Sequence, residues 1–432
     1  MRVFLLFTLL SLANISFGQA EKVSIVEDEN GFRLQVANSD FMINGMNWDY
    51  FPIGTNYEYN IWSQPDATIK AALNYEMGLL QQMNVNAIRV YTGIPPKWIS
   101  YIHENFGIYT MLNHSFGRYG LMINGNWVAQ TNYADPTTQD MLLSEVLEIA
   151  KEYKNTPGLL LYLLGNENNY GLFWAGAETE DFPSEKDKIK KVGEQQGRPM
   201  YRLMNEAAIQ MKAINDNVPI AICNGDLLYL DIIAEECPDV DIFGTNIYRG
   251  ESFGDTYERV KNEYGKPVLF TEFGSDAFNA ITQQEDQEAQ AHYLICNWKE
   301  IYQNAAGLGK ANNSLGGFTF QFSDGWWKHL QTKNLDVHDT HAAWANGGYK
   351  FDYQHGKNNM NEEWFGICAK GPTNELGVYE LYPRKAYYVL QDIHSLEMYN
   401  SEVDVDYIEE YFNQIKNSDR YQTEGKKTTI TK

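Results

Sequence analysis

Leu159 to Leu164 is a run of six apolar residues, LLLYLL, that stops at Gly165 and is followed at once by Asn166, Glu167, Asn168 and Asn169. A run this short and this apolar reads as a strand buried on both faces, as in parallel sheets covered by helices. The polar cluster then falls at the carboxyl end of the strand, where barrels and doubly wound sheets place their chemistry. Pro267 to Gly274, PVLFTEFG, has the same grammar and delivers Glu272 at its end. Two such strand ends confine the chain to folds in which distant residues converge on one rim.

The rest of the chain supplies the other elements. From Val23 to Asn47 two alternating strands are joined at Asn30-Gly31, a hairpin signal, and lead into a first barrel strand near Asn44 to Trp48. Further strands are expected at Ala87 to Tyr91 with Arg89 in the middle, Ile108 to Leu112 before Asn113-His114, Ile220 to Cys223, Asp241 to Asn246, and Gly317 to Phe322. Between them, helical spacing marks a segment capped by Asp66 or Thr68 and running to Met83, one opened by Pro95-Pro96 and stopped at Gly107, and one from Thr137 to Tyr153. Later helices are marked by Leu203, Ala207, Met211 and Ile214, by Asp255 to Tyr264, by the stripe from Ala291 to Tyr302, and by Arg384 to Leu396. Glu178 to Arg198 reads as a charged loop, and Ser323 to Thr373 as a long connection without periodicity. Eight strands alternating with helices specify an α/β (β/α)8 TIM barrel with an N-terminal β-hairpin and long loops at the C-terminal face.

Residues 1–20 combine Arg2, an apolar stretch from Val3 to Leu12 and small residues near Gly18 and Ala20, the pattern of a secretory signal peptide. The expected organisation is signal peptide 1–20, catalytic barrel 21–400 and a surface tail 401–432, with a secreted or periplasmic destination and no membrane span. A net charge of -23 disfavours nucleic acid, anionic membranes and polyanionic substrates, so a neutral partner is expected. Aromatic residues at 14% of the chain, several of them in loops, suit the stacking of sugar rings. Cys223, Cys237, Cys296 and Cys368 are widely spaced without CxxC pairs, and read as lone buried thiols or at most one disulfide. Asp336 to His341, DVHDTH, lacks any recognised ligand spacing and reads as a solvated loop, so no metal and no cofactor are expected.

Cleavage of a glycosidic bond needs a proton donor for the leaving oxygen and a carboxylate for the anomeric carbon. Glu167 and Glu272 suit these tasks, because a barrel rim brings together residues that lie 105 apart in sequence (272 minus 167). GNEN after strand four and FTEFG after strand seven resemble the acid/base and nucleophile motifs of the clan A glycoside hydrolases, (β/α)8 retaining enzymes. FRLQVANSDFMINGMNW is similar to the hairpin that precedes the barrel there, and WFGICAK with YPRKAYYVL to the ending of family-two members; the resemblance spans about Val23 to Leu396.

The resemblance implies that Glu167 is the acid/base, that Asn166 holds the sugar 2-hydroxyl, and that Glu272 is the nucleophile. It implies that Arg89 and Tyr248 serve the nucleophile, and that Trp326 or Trp327, in SDGWWK, forms the platform under the cleaved sugar. The acid/base motif lacks the proline that follows the glutamate in many members, and His114, also counted among the candidate substrate-binding residues, has no secure counterpart. The function expected on these grounds is a secreted retaining β-glycoside hydrolase acting on a neutral polysaccharide, an endo-acting β-1,3-glucanase first, because AIRVYTG is similar to barrels that cut or transfer such chains. A β-mannanase or another clan A β-glycosidase, a transglycosylase using the same two carboxylates and a non-catalytic glycan-binding barrel are the alternatives.

Overall fold

The computed structural model describes residues 20–173, 185–328, 331–340, 360–418 and 420–421. Residues 1–19 of the expected export signal, and Trp344 of the long connection, lie outside the described residues. Eight parallel strands close a barrel: β1 Ile43–Asn47, β2 Ala87–Tyr91, β3 Tyr109–His114, β4 Leu159–Leu164, β5 Ile220–Gly225, β6 Ile242–Asn246, β7 Val268–Phe273 and β8 Ser314–Thr319. Each strand pairs with its neighbours in sequence, and β8 returns to β1 through Gly316 opposite Ile43 and Thr319 opposite Met46. All six residues of β4 are buried, as the apolar run required. β8 starts three residues earlier than its periodicity suggested, because glycines hid it. Gly316 lies at φ 109°, and a Cβ there would sit 2.2 Å from the Ile43 carbonyl oxygen, so only glycine lets β8 close on β1.

The helices that cover the barrel are α1 Asp66–Gln82, α2 Pro96–Phe106, α3 Pro136–Glu152, α4 Arg198–Ile214, α5 Leu230–Glu236, α6 Thr256–Glu263, α7 Gln287–Gln303 and α8 Lys385–Ile393. α2 ends at Gly107 in the left-handed conformation, and the Asp135 side chain caps α3 through the Thr138 amide. Neither Asp66 nor Thr68 caps α1: the helix starts after Pro65 with Asp66 in its first turn. The charged stretch expected as a loop is helical from Lys186–Val192 and runs through a wide turn, Gly193–Gly197, into α4. Its helix buries no residue, so it shows no apolar stripe in the sequence.

An antiparallel hairpin, Val23–Asp28 with Gly31–Val36, precedes the barrel. The connection after β8 is more regular than its composition suggests, since Cys368–Thr373 pairs antiparallel with Tyr379–Pro383. Asp324 and Arg384 fasten this region from both sides: two 2.7 Å contacts join carboxylate to guanidinium, each side chain is 1% exposed, and the Gly366 amide donates to Asp324 Oδ1. Beyond Asn400 a further helix, α9 Val405–Lys416, lays Ile408, Phe412 and Ile415 against α7, with the Phe412 ring 5.9 Å from that of Tyr302. All four cysteines are free. No helix among the described residues is long and apolar enough to cross a membrane.

Candidate active site

Arg89 rises from β2 inside the barrel among polar partners, 2% exposed, and every arm of its guanidinium is engaged. Nη1 donates to Glu272 Oε1 at 2.6 Å and to the Thr271 carbonyl at 3.2 Å. Nη2 donates to Asn166 Oδ1 at 2.7 Å, while Nε and Nη2 both reach Asn113 Oδ1, at 3.0 and 2.6 Å. The planar fork of arginine suits this divided task, which a lysine point charge would not perform.

Glu272 follows from β7 and is 13% exposed at its side chain. Its second oxygen, Oε2, accepts from the Tyr248 hydroxyl at 3.0 Å. Burial, followed by the charge of Glu272, pushes the Tyr248 phenol well above its ordinary range and keeps it a donor. Both oxygens of Glu272 are therefore fixed by one donor each, which orients the carboxylate.

Glu167 lies across the rim, at the end of β4. Its backbone adopts φ 56°, a conformation that a side-chain-bearing residue takes at a cost of about 1–3 kcal/mol and that clusters at functional sites. Asn168 helps hold this turn, its Oδ1 accepting from the Asn166 amide at 2.7 Å and its Nδ2 donating to the Phe116 carbonyl at 2.8 Å. Burial first, then the negative charge of Glu272, pushes the Glu167 carboxyl up to about 7, against the opposing pull of Arg118. One carboxyl held protonated beside another gripped by a guanidinium is the division of labour that acid and nucleophile require.

Asn166 joins the two halves. Its Oδ1 accepts from Arg89 and, at 3.0 Å, from Asn246 Nδ2, and its Nδ2 donates to the Tyr119 hydroxyl at 2.7 Å. Glu167, Glu272, Arg89, Asn166 and Tyr248 are thus brought together as anticipated. His114 is not: its Nε2 sits 3.3 Å from Glu145 on α3 and its Nδ1 accepts from the Phe116 amide, which places it in the barrel's outer packing. Trp326 stacks on His338 with centroids 4.6 Å apart, and His338 in turn stacks on Trp364 at 3.9 Å. Trp327 packs against Phe51 and Tyr57 at 5.2 and 5.7 Å. Both tryptophans are half-buried, and the Trp326 indole N–H finds no partner among the described residues.

Sequence reasoning missed Asn113, Asn246 and Tyr119. The first two lie on β3 and β6 and are 0% and 2% exposed, polar residues at strand ends that look like turn formers until the barrel closes around them. Tyr119 lies beyond β3 with no periodicity to mark it.

The closed parallel barrel, with its N-terminal hairpin, is a fold that the chain shares with solved glycosidases. Over 141 residues the chain is 30% identical to a probable 1,3-beta-glucanosyltransferase of Saccharomyces cerevisiae, a match to 30% of this chain and 24% of that protein. The fold matches a family-two β-galacturonidase from Eisenbergiella tayi, solved with galacturonate, with TM-score 0.51 and 16% identity over 88% of this chain and 55% of that one. It also matches a Bacteroides uniformis β-glucuronidase with TM-score 0.51 and 13% identity over 86% of this chain and 37% of that one. The chain spans about a quarter of the curated relative and roughly half or less of the solved structures. No protein family model matches it.

Proposed function

We propose that this protein is a secreted retaining β-glycosidase acting on a neutral β-1,3-linked glucan, with Glu272 as nucleophile and Glu167 as acid/base. The observation that carries the reading is the Arg89 guanidinium, which holds the Glu272 carboxylate and the Asn166 amide beside Glu167 in one buried network. In the first step Glu272 Oε2 or Oε1 forms a bond to the anomeric carbon, the glycosidic C–O bond breaks, and Glu167 gives its proton to the leaving oxygen. In the second, Glu167 takes a proton from an incoming hydroxyl whose oxygen displaces Glu272, and the configuration at carbon is retained. In this reading Asn166 meets the 2-hydroxyl of the reacting sugar, the role that the resemblance implies for it.

The identity of the incoming hydroxyl separates hydrolysis from transfer. The name of the yeast relative favours transfer, with a sugar hydroxyl in place of water. Linkage follows the same relative; β-1,4-mannan is the rival substrate. The test is incubation with laminari-oligosaccharides and with manno-oligosaccharides, followed by product sizing and, in parallel, a 2-deoxy-2-fluoroglucoside trap read by peptide mass. Expected are products both longer and shorter than the laminari-substrate, and a glycosyl label on Glu272. A label elsewhere sinks the role of Glu272, and an inert protein across the panel sinks the proposal and leaves a glycan-binding barrel.

A further inference from the structure

Away from the carboxylate pair, one face of α7 carries His292 and Cys296, a helical turn apart, and both look onto Glu251 of the loop that follows β6. His292 Nε2 lies 3.7 Å from Cys296 Sγ and 2.5 Å from Glu251 Oε1, and the three donor atoms all fall within 4.8 Å of one another. We propose that Glu251, His292 and Cys296 form a binding site for a zinc-like divalent cation, with a fourth position left to water.

The geometry favours this class of ion. Zinc takes thiolate at about 2.3 Å and imidazole at about 2.0 Å in a tetrahedral arrangement, which sets the sulfur-to-nitrogen edge at about 3.5 Å. The 3.7 Å edge observed is close to that value without any movement. The nitrogen-to-oxygen edge must open from 2.5 Å to about 3.3 Å, and the Glu251 side chain, 38% exposed, has the freedom to do so. One sulfur, one nitrogen and one oxygen suit zinc over calcium or magnesium, which prefer all-oxygen shells.

The loop that brings Glu251 is held in place without an ion. Asn297 Nδ2 donates to the Gly250 carbonyl at 2.8 Å, and Glu300 accepts from the Phe253 amide at 2.8 Å and from Ser252 Oγ at 3.1 Å. On the other side Arg249 Nη1 donates to the Phe253 carbonyl at 2.6 Å, and its Nε to Asp226 Oδ2 at 2.9 Å. The three donors thus belong to two elements whose spacing is already set, and little ordering is left for the ion to do. Binding releases the Cys296 thiol proton to solvent, moves the proton between His292 Nε2 and Glu251 Oε1 to His292 Nδ1 or to solvent, and converts that contact into two coordinate bonds. Its consequence is mechanical: the loop begins at Arg249, next to Tyr248, and the ion fastens it to α7.

The test uses the full chain stripped with a chelator and titrated with Co2+, then with Zn2+. Expected are one Co2+ per chain, the intense visible absorption of a four-coordinate ion, a thiolate-to-cobalt charge-transfer band, and displacement of both by Zn2+. Cys296→Ser abolishes the charge-transfer band and weakens binding at least about tenfold, and Glu251→Gln weakens binding while keeping the band. Circular dichroism of each variant checks folding, and Cys296→Ala serves if the serine variant does not fold. Absence of the charge-transfer band in the parent, or parental affinity in the Cys296 and Glu251 variants, overturns the site and leaves a histidine–carboxylate contact beside a thiol. The readout is spectroscopic, so it stands whether or not the protein cleaves glycans.

Discussion

Arg89 Nη1 lies 2.6 Å from Glu272 Oε1, joining a guanidinium side chain that is 1% exposed to a carboxylate that is 13% exposed. Removing one member of a buried pair leaves the other charge uncompensated, at a cost of about 3–5 kcal/mol, whereas an exposed pair is worth about 1 kcal/mol or less. Arg89→Ala is therefore expected to lower kcat/KM at least about a hundredfold and to lower the melting temperature as well. Arg89→Lys keeps the charge but cannot span Glu272, Asn166 and Asn113 together, so it recovers stability better than rate. Kinetics and melting curves on both variants check this; equal activity of Arg89→Ala and the parent refutes it.

The two carboxylates differ in what their loss leaves behind. Glu272→Gln abolishes turnover of every substrate, because the covalent step always needs the nucleophile. Glu167→Ala retains the first step on substrates with an activated leaving group, which depart without a proton. A burst of aryl alcohol from dinitrophenyl glycosides distinguishes them, and a burst from Glu272→Gln alone would reverse the roles.

The raised Glu167 carboxyl gives a pH dependence with a definite sign. The rate should fall as pH rises through about 7, where the acid loses its proton. Because the folded protein holds that proton more tightly than the ordinary value of 4.5 allows, the contribution to stability is full below 4.5 and is lost as pH rises toward 7. Glu167→Gln removes the term, so its stability relative to the parent should improve across that window and level off above it. In Glu272→Gln the Glu167 carboxyl should drop yet stay above 4.5, since burial is the larger cause; carboxyl carbon chemical shifts measured against pH read both.

Trp326 offers an indole whose N–H is unengaged among the described residues and whose ring is stacked on His338. If it meets glycan, Trp326→Ala should weaken turnover of a long chain about tenfold and leave turnover of an aryl glycoside nearly unchanged. Loss of the stacking pair, about 0.5–1.5 kcal/mol beyond burial, should also lower the melting temperature by a few degrees. A variant that melts earlier but cuts both substrates at the parental rate marks the ring as packing only.

The barrel was legible because its strands are apolar runs that end in polar clusters, and β4 and β7 show this most plainly. Arg89 stood out as a cation inside an apolar strand. The asparagines that partner it did not, because Asn113 and Asn246 acquire their meaning only when strands far apart in sequence are curled into one cylinder. The hairpin Cys368–Thr373 with Tyr379–Pro383 was obscured by its bulge and by Gly371 and Pro372 inside its first strand. The seven-residue α5 was too short for a helical stripe to register. Glu251, 41 residues before His292, carried no spacing that could join it to Cys296.

The Asp324 to Arg384 clamp links residues 60 positions apart, one just past the last barrel strand and the other at the threshold of α8. During synthesis the eight strands leave the ribosome well before Arg384 does. Until then Asp324 has no guanidinium to meet, and the segment bearing Trp326 and Trp327 has no anchor at its far side. The clamp therefore cannot close before Arg384 has been made, and a chain that stops short of it leaves the Asp324 side of the rim unfastened.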